Sequence, residues 1–208
     1  MGRGTAKRVA VLMLALLVPS GHGNAAGQDA RSPEWRDEIA QGFLPYRRLA
    51  LEDFPVNDRV ASPYQMHTQG FIRYTYQARW SATAAGASAE VVAFSVRSGF
   101  DRNSSWRRSA TPPDPALLAH EQGHLDINEV FAARLAKARL PGGLGFSGDE
   151  AMEDLRRRLK AMADRVIADS RKEQELYDLE TRHGADRARQ QVWTERLERQ
   201  LRDLKIIK

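Results

Sequence analysis

The sequence predicts an α+β protein, with an antiparallel β-sheet in the N-terminal half and a helical half after it. Three observations carry this. Phe71 to Trp80 alternates, with Ile72, Tyr74, Tyr76, Ala78 and Trp80 on one face and Arg73, Thr75, Gln77 and Arg79 on the other, the period of a strand with one wet side. Glu90 to Val96 (EVVAFSV) is a second run of β-branched and aromatic residues. Beyond Asp114 the apolar residues recur at three- and four-residue spacing, as on a buried helix face. Strands first and helices afterwards is the order of an α+β domain.

The elements follow in turn. Ala82 to Ser88 is a small-residue turn between the two strands, and Leu49 to Val56 (LALEDFPV), closed by Pro55, is a weaker third strand. Asp114 is a good N-cap with Pro115 at the first helical position, and this helix should run to about Leu140, where Pro141-Gly142-Gly143 stops it. Ser147 and Glu150 form a capping box for a second helix. Its apolar stripe is Met152, Leu155, Leu159, Met162 and Val166, and followed further it reaches Tyr177 and Glu180. His183-Gly184 breaks the pattern, and Ala185 to about Lys205 forms a third helix with Val192, Trp193, Leu197, Leu201 and Leu204. A straight antiparallel pair of the first two helices would overshoot, because the second is the longer, so a break near Ala168 to Lys172 is expected.

The N-terminus has the three parts of a secretory signal peptide: basic Arg3, Lys7 and Arg8, the apolar run Val9 to Val18, and small residues to about Ala26. The run is short of the roughly 20 residues that a membrane span needs. The predicted organisation is a signal at 1–26 and one domain at 27–208, β-rich over 27–112 and helical over 113–208. The expected location is periplasmic or secreted, with no stable membrane insertion once the signal is removed. The whole chain carries 32 Lys and Arg against 27 Asp and Glu, but the signal holds three bases and no acid, leaving 29 against 27. With no basic stripe carrying interleaved aromatics, nucleic acid is not an expected partner. There are no cysteines, which excludes a disulfide scaffold, thiolate ligands and a cysteine nucleophile.

The chemistry lies on the first helix, at His120-Glu121-Gln122-Gly123-His124. Residues four apart share a helix face, so the two imidazoles can share a metal ion, and zinc suits them. Glu121, one residue round, is placed to hold and deprotonate water as a general base without being a ligand. Gly123 in mid-helix costs on the order of 1 kcal/mol against Ala, which points to something packing closely there. A zinc site needs a third protein ligand. Asp126 and Glu129 fall off the His120/His124 face, and Asn128 is a poor zinc ligand. The remaining candidates are His183 and Glu180 at the end of the second helix. His67 reads as a plain surface residue, Gln122 as facing solvent or a neighbouring helix, and Trp35, Trp80 and Trp106 as packing residues.

HEQGHLDI, then a long helix, then YDLETRHG with Gln191 and Trp193 beyond, resembles the bacterial secreted proteins grouped as domain-of-unknown-function family 922, described as zinc-dependent proteases. Leu51 to Phe54 (LEDF) and Ser105-Trp106 also fit that family, and the likeness covers nearly the whole mature chain. It implies a zincin-like core in which a sheet edge runs beside the metal helix, and it implies that Tyr177, Asp178 and His183 belong to the site. The metal ligands are then His120, His124 and His183. Tyr177 could donate its phenol to a tetrahedral oxyanion or simply pack, and Asp178 could orient a ligand imidazole or face water. The expected function is a zinc metallopeptidase acting on a peptide or protein substrate. Alternatives are a cell-wall amidase or another zinc amide or ester hydrolase, and a periplasmic binding or scaffold protein with a vestigial site.

Overall fold

The computed structural model describes residues 33–111 and 114–207. The predicted signal at 1–26 lies outside them. Among the described residues no helix is long and apolar enough to cross a membrane.

The architecture is α+β, with the antiparallel sheet in the N-terminal half and helices following it, as expected. A short helix not foreseen in the sequence, α1 (Pro33–Ala40), leads into strand β1 (Phe43–Pro45). The core of the sheet is one long hairpin, β3 (Gly70–Thr83) and β4 (Gly86–Asp101). Both strands extend well beyond the predicted runs because they turn on only two residues, Thr83 pairing with Gly86. Gly86 sits at φ +140°, and a Cβ there would meet Gly145 O at 2.4 Å, so glycine is required at this corner. The predicted alternation on β3 holds, with the Tyr74, Tyr76, Ala78 and Trp80 side half-buried and the Arg73, Thr75, Gln77 and Arg79 side exposed.

The third predicted strand is not one. Leu51–Asp53 is a 3-10 turn, in which the Asp53 carboxylate accepts the Ala50 N–H at 2.7 Å and pairs with Arg47. A local carboxylate-to-backbone bond competes successfully with sheet pairing here. Val56 alone makes a bridge, to Arg107. A second small sheet pairs β2 (Met66–His67) with β5 (Trp106–Arg107).

Helix α2 (Pro115–Ala136) is capped as predicted, Asp114 accepting from Ala116 N, and ends a turn short of Leu140. It is buried on nearly every side, and its apolar residues Leu125, Ile127, Val130 and Leu135 are at most 1% exposed. Several of its buried polar residues find partners. Gln122 accepts from Leu49 N and donates to Asp126, Tyr46 donates to Asp126, and Ser170 donates to Asn128. Gln122 therefore does not face solvent; it ties the helix to the segment before the 3-10 turn.

The second helix, α3 (Gly148–Thr181), is continuous over 34 residues, so the expected break near Ala168 to Lys172 is absent. The overshoot is absorbed at the other end. After α2 the chain forms β6 (Gly143–Gly145), which pairs with β4 at Ala87 to Ala89, near the tip of the long hairpin. That excursion starts α3 far out along the sheet. Its first half packs there through Ala151, Leu155 and Met152 against Ala87, Ala89, Trp80 and Val91. Its second half runs antiparallel along α2, Ser170 meeting Asn128, Gln174 meeting His124 and Tyr177 meeting Gly123. Helix α4 (Arg187–Asp203) lies against both, with Trp193 and Leu197 joining Ile127, Phe131 and Tyr177 in one apolar cluster.

Candidate metal centre

The fold brings three segments together at the N-terminal end of α2. His120 and His124 stand one turn apart on the helix, their rings 4.8 Å apart and their Nε2 atoms 3.3 Å apart. Asp178, near the end of α3, places Oδ1 at 3.2 Å from His120 Nε2, 3.1 Å from His124 Nε2 and 3.4 Å from His183 Nδ1. One ligand atom from each of His120, Asp178 and His183 lies within 4.8 Å of the others, a set able to hold a metal ion.

The far side of each helical imidazole is fixed. His120 Nδ1 meets Gln190 Oε1 at 3.1 Å, while Gln190 Nε2 donates to the Tyr177 hydroxyl at 2.6 Å and that hydroxyl donates to the His120 carbonyl at 3.0 Å. His124 Nδ1 meets Gln174 Oε1, whose Nε2 donates to the His124 carbonyl at 3.1 Å. In each case the amide nitrogen is committed to donating elsewhere, so the amide oxygen must accept from Nδ1–H. Both Nε2 atoms are then bare lone pairs turned toward the same carboxylate oxygen.

Three electron-rich atoms within about 3.3 Å of one another repel unless a positive charge sits among them. Asp178 Oδ1 and Glu121 Oε2 are both buried and without a hydrogen-bond partner. These orphaned oxygens and the converging nitrogens fit a divalent cation of the imidazole-and-carboxylate type. Without metal, a proton is the substitute. Burial pushes His124 down, but Asp178, Glu121 and Gln174 outweigh it and leave its imidazole above the ordinary range. Burial likewise pushes the Asp178 carboxyl up, but His120 and His124 hold it well below the usual carboxylate range.

The loop after α3 delivers His183. Arg182, His183 and Gly184 are all left-handed, at φ 50°, 53° and 81°. Thr181, fully buried, accepts from Gly184 N through its hydroxyl, and His183 N–H bonds the Asp178 carbonyl at 2.9 Å. A Cβ on Gly184 would come within 3.0 Å of His120 Cβ and Cγ, so the turn closes directly over His120. Such conformations in non-glycine residues cost on the order of 1–3 kcal/mol each.

The cluster opens into a cleft of about 590 Å3 walled by Pro63 to His67 on one side and by His120, Glu121, His124, Asp178, Arg182 and His183 on the other. Met66 is buried in the core beside Phe54, Phe100 and Leu125, so the next residue on β2, His67, points the opposite way.

Residues 56–184 match the family described as "Bacterial protein of unknown function (DUF922)". The chain belongs to that family. No curated protein and no solved structure matches it.

In this DUF922 protein the structure gathers His120, His124 and His183 around one point and sends Glu180 elsewhere, its carboxylate accepting the Trp193 indole N–H at 2.7 Å. Glu121 is 4% exposed and lines the cleft. Tyr177 is placed differently from the oxyanion role set out above. It is fully buried, its ring stacks on His120 at 4.8 Å, and its hydroxyl proton is given to the His120 carbonyl. No donor remains for an oxyanion; Tyr177 is a support beneath His120. Asp178 is central rather than peripheral. His67 is exposed, as expected of a surface residue, but it lines the cleft, where desolvation outweighs the pull of Glu121 and leaves its imidazole below the ordinary range.

Three residues of the site escaped the sequence, Gln174, Gln190 and Tyr64, and Asp178 was expected only to orient an imidazole or face water. Tyr64 holds His183 Nε2 at 3.1 Å with the rings 4.5 Å apart. A tyrosine and a histidine three residues apart in a proline-containing loop were the available hint for Tyr64 and His67. The two glutamines carry no such signal, because their partners lie 50 and 70 residues away.

Proposed function

We propose that this DUF922 protein is an exported zinc-dependent hydrolase of amide bonds, with a peptide or protein as substrate. The observation that carries the proposal is the pairing of a cation-shaped vertex of His120, His124, Asp178 and His183 with a buried, unpartnered Glu121 carboxylate oxygen at the wall of the same cleft. Zinc held at that vertex would polarise a carbonyl and lower the pKa of water to about 7.

The remaining steps belong to the chain's own residues. Glu121 holds the attacking water and takes its proton, then gives that proton to the leaving amine. Low solvent exposure keeps its carboxylate free of competing hydrogen bonds. Gln190 and Gln174 keep both helical imidazoles in the tautomer that turns Nε2 inward. The cleft has the volume of a small-ligand site and accepts a few residues of an extended chain.

The test separates binding from chemistry. Purified mature protein should contain about one zinc per chain by elemental analysis, and His124→Ala should contain none. Glu121→Gln should keep its zinc and lose about 10²- to 10⁴-fold of its rate on the first cleavable peptide found in a library screen. Loss of zinc from Glu121→Gln would make Glu121 a ligand and end its role as base.

A further inference from the structure

We propose that His120, His124 and Asp178 are the permanent ligands and that His183 is a fourth, exchangeable one, so that the resting centre is closed and opens when His183 withdraws to Tyr64. This rests on the metal-centre reading above and concerns the order of its ligands.

His120 Nε2, His124 Nε2 and Asp178 Oδ1 form a triangle with sides of 3.3, 3.2 and 3.1 Å. Zinc at about 2.0–2.1 Å from tetrahedral N and O ligands has ligand-to-ligand edges of about 3.3 Å. The triangle therefore has the dimensions that one face of a tetrahedral zinc site would require. The alternative for Asp178 is to orient an imidazole from outside, which requires it to bond the ring nitrogen remote from the metal. Those nitrogens are taken by Gln190 and Gln174. Asp178 Oδ1 instead meets the inward nitrogens, at 3.2 and 3.1 Å.

His183 differs from the other two histidines in every respect that governs exchange. Its side chain is 44% exposed, against 4% for His120 and 14% for His124. It rides on a left-handed turn rather than inside a helix. Its Nδ1 is 3.4 Å from Asp178 Oδ1, while its Nε2 is already paired with the Tyr64 hydroxyl on the opposite wall of the cleft. With all four protein ligands in place the centre is closed, the arrangement of structural zinc sites; catalysis requires one free position. The position that can be freed without disturbing a helix is that of His183, and Tyr64 is the partner that receives it.

The experiment uses the mature protein loaded with cobalt(II), read by visible absorption during titration with azide, which needs a free coordination position. Wild type should bind one cobalt and keep its spectrum at azide concentrations that shift the spectrum of His183→Ala. His183→Ala should still bind one cobalt. Asp178→Ala and the conservative Asp178→Asn should lose more than about 100-fold in cobalt affinity, beyond the cost of removing an orienting residue, with circular dichroism confirming that both are folded. Loss of cobalt from His183→Ala together with full affinity in Asp178→Asn would reverse the assignment. Azide binding to wild type as readily as to His183→Ala would show a centre open at rest and overturn the closed state. Failure of wild type to bind either zinc or cobalt would remove the metal centre itself.

Discussion

The two halves of α3 use one helical spacing for opposite ends. In the first half the inward positions are Ala151, Leu155, Leu159 and Ala163, all fully buried. Ala151 and Leu155 lie against the hairpin tip and against β6, where a Cβ on Gly143 would meet Ala151 O at 2.0 Å. In the second half the inward positions are Ser170, Gln174, Tyr177 and Thr181, and each makes a hydrogen bond to α2 or within its own helix. Periodicity decides which residues face the neighbour. Only side-chain chemistry decides whether that face is a core or the scaffold of a site.

The comparison is sharpened first at Leu155. Leu155→Ala removes a fully buried side chain and should cost about 2–5 kcal/mol in urea unfolding, with metal stoichiometry unchanged. Loss of metal along with stability would show that the two halves are not separable.

Glu129 lies on α2 between the two regions, accepting from Ser98 beneath the sheet. Burial pushes its carboxyl up from an ordinary 4.5 to about 7, against the Ser98 hydrogen bond and with a smaller push from Asp126. The folded state therefore binds the proton more tightly than the unfolded one between about pH 4.5 and 7. Stability from this group is complete below the window and falls by about 1.4 kcal/mol per pH unit as pH rises through it. Glu129→Gln should remove that slope and be the more stable protein at neutral pH. Asp126, also raised by burial, keeps its own contribution in both proteins, so the difference between the two unfolding curves isolates Glu129. Parallel curves would place its carboxyl in the ordinary range.

Gly123→Ala strikes the site half from the α2 side. The new Cβ would lie 2.2 Å from the Tyr177 hydroxyl and 2.6 Å from Cζ. Tyr177 must move, at a cost of about 1–3 kcal/mol, and it carries Gln190 and the His120 carbonyl with it. Both the melting temperature and metal affinity should fall, in contrast to Leu155→Ala. The smallest effect is expected of Gln190→Ala, which unpins His120: metal affinity should drop about 10- to 100-fold in a chelator competition assay. Unchanged affinity would make the amide a bystander.

Much of this was legible beforehand. Asp114 and Pro115 announced α2, the spacing of His120 and His124 announced two imidazoles side by side on one face, and Gly123 announced a close neighbour, which is Tyr177. His183 was legible through the glycine beside it. What failed depended on long-range placement. The break assigned to α3 assumed a simple turn between helices, and the three residues of β6 moved the start of the helix to the hairpin tip instead. The strand assigned to Leu49 to Val56 was lost to one carboxylate, Asp53, closing a local turn. The oxyanion role for Tyr177 overlooked two partners, the His120 carbonyl and Gln190, that no window of sequence brings together.

The donors at the centre come from two places separated by more than fifty residues, with a sheet-spanning helix between them. The site therefore depends on distant elements. A chain that has formed only α2 offers a cation two imidazoles and nothing more. Asp178 and His183 stand beside that pair only with β6 on the hairpin tip and α3 aligned along its length, because the start of that helix lies about 45 Å from Asp178. On the proposed metal centre, tight binding would therefore require every one of these elements to be in place.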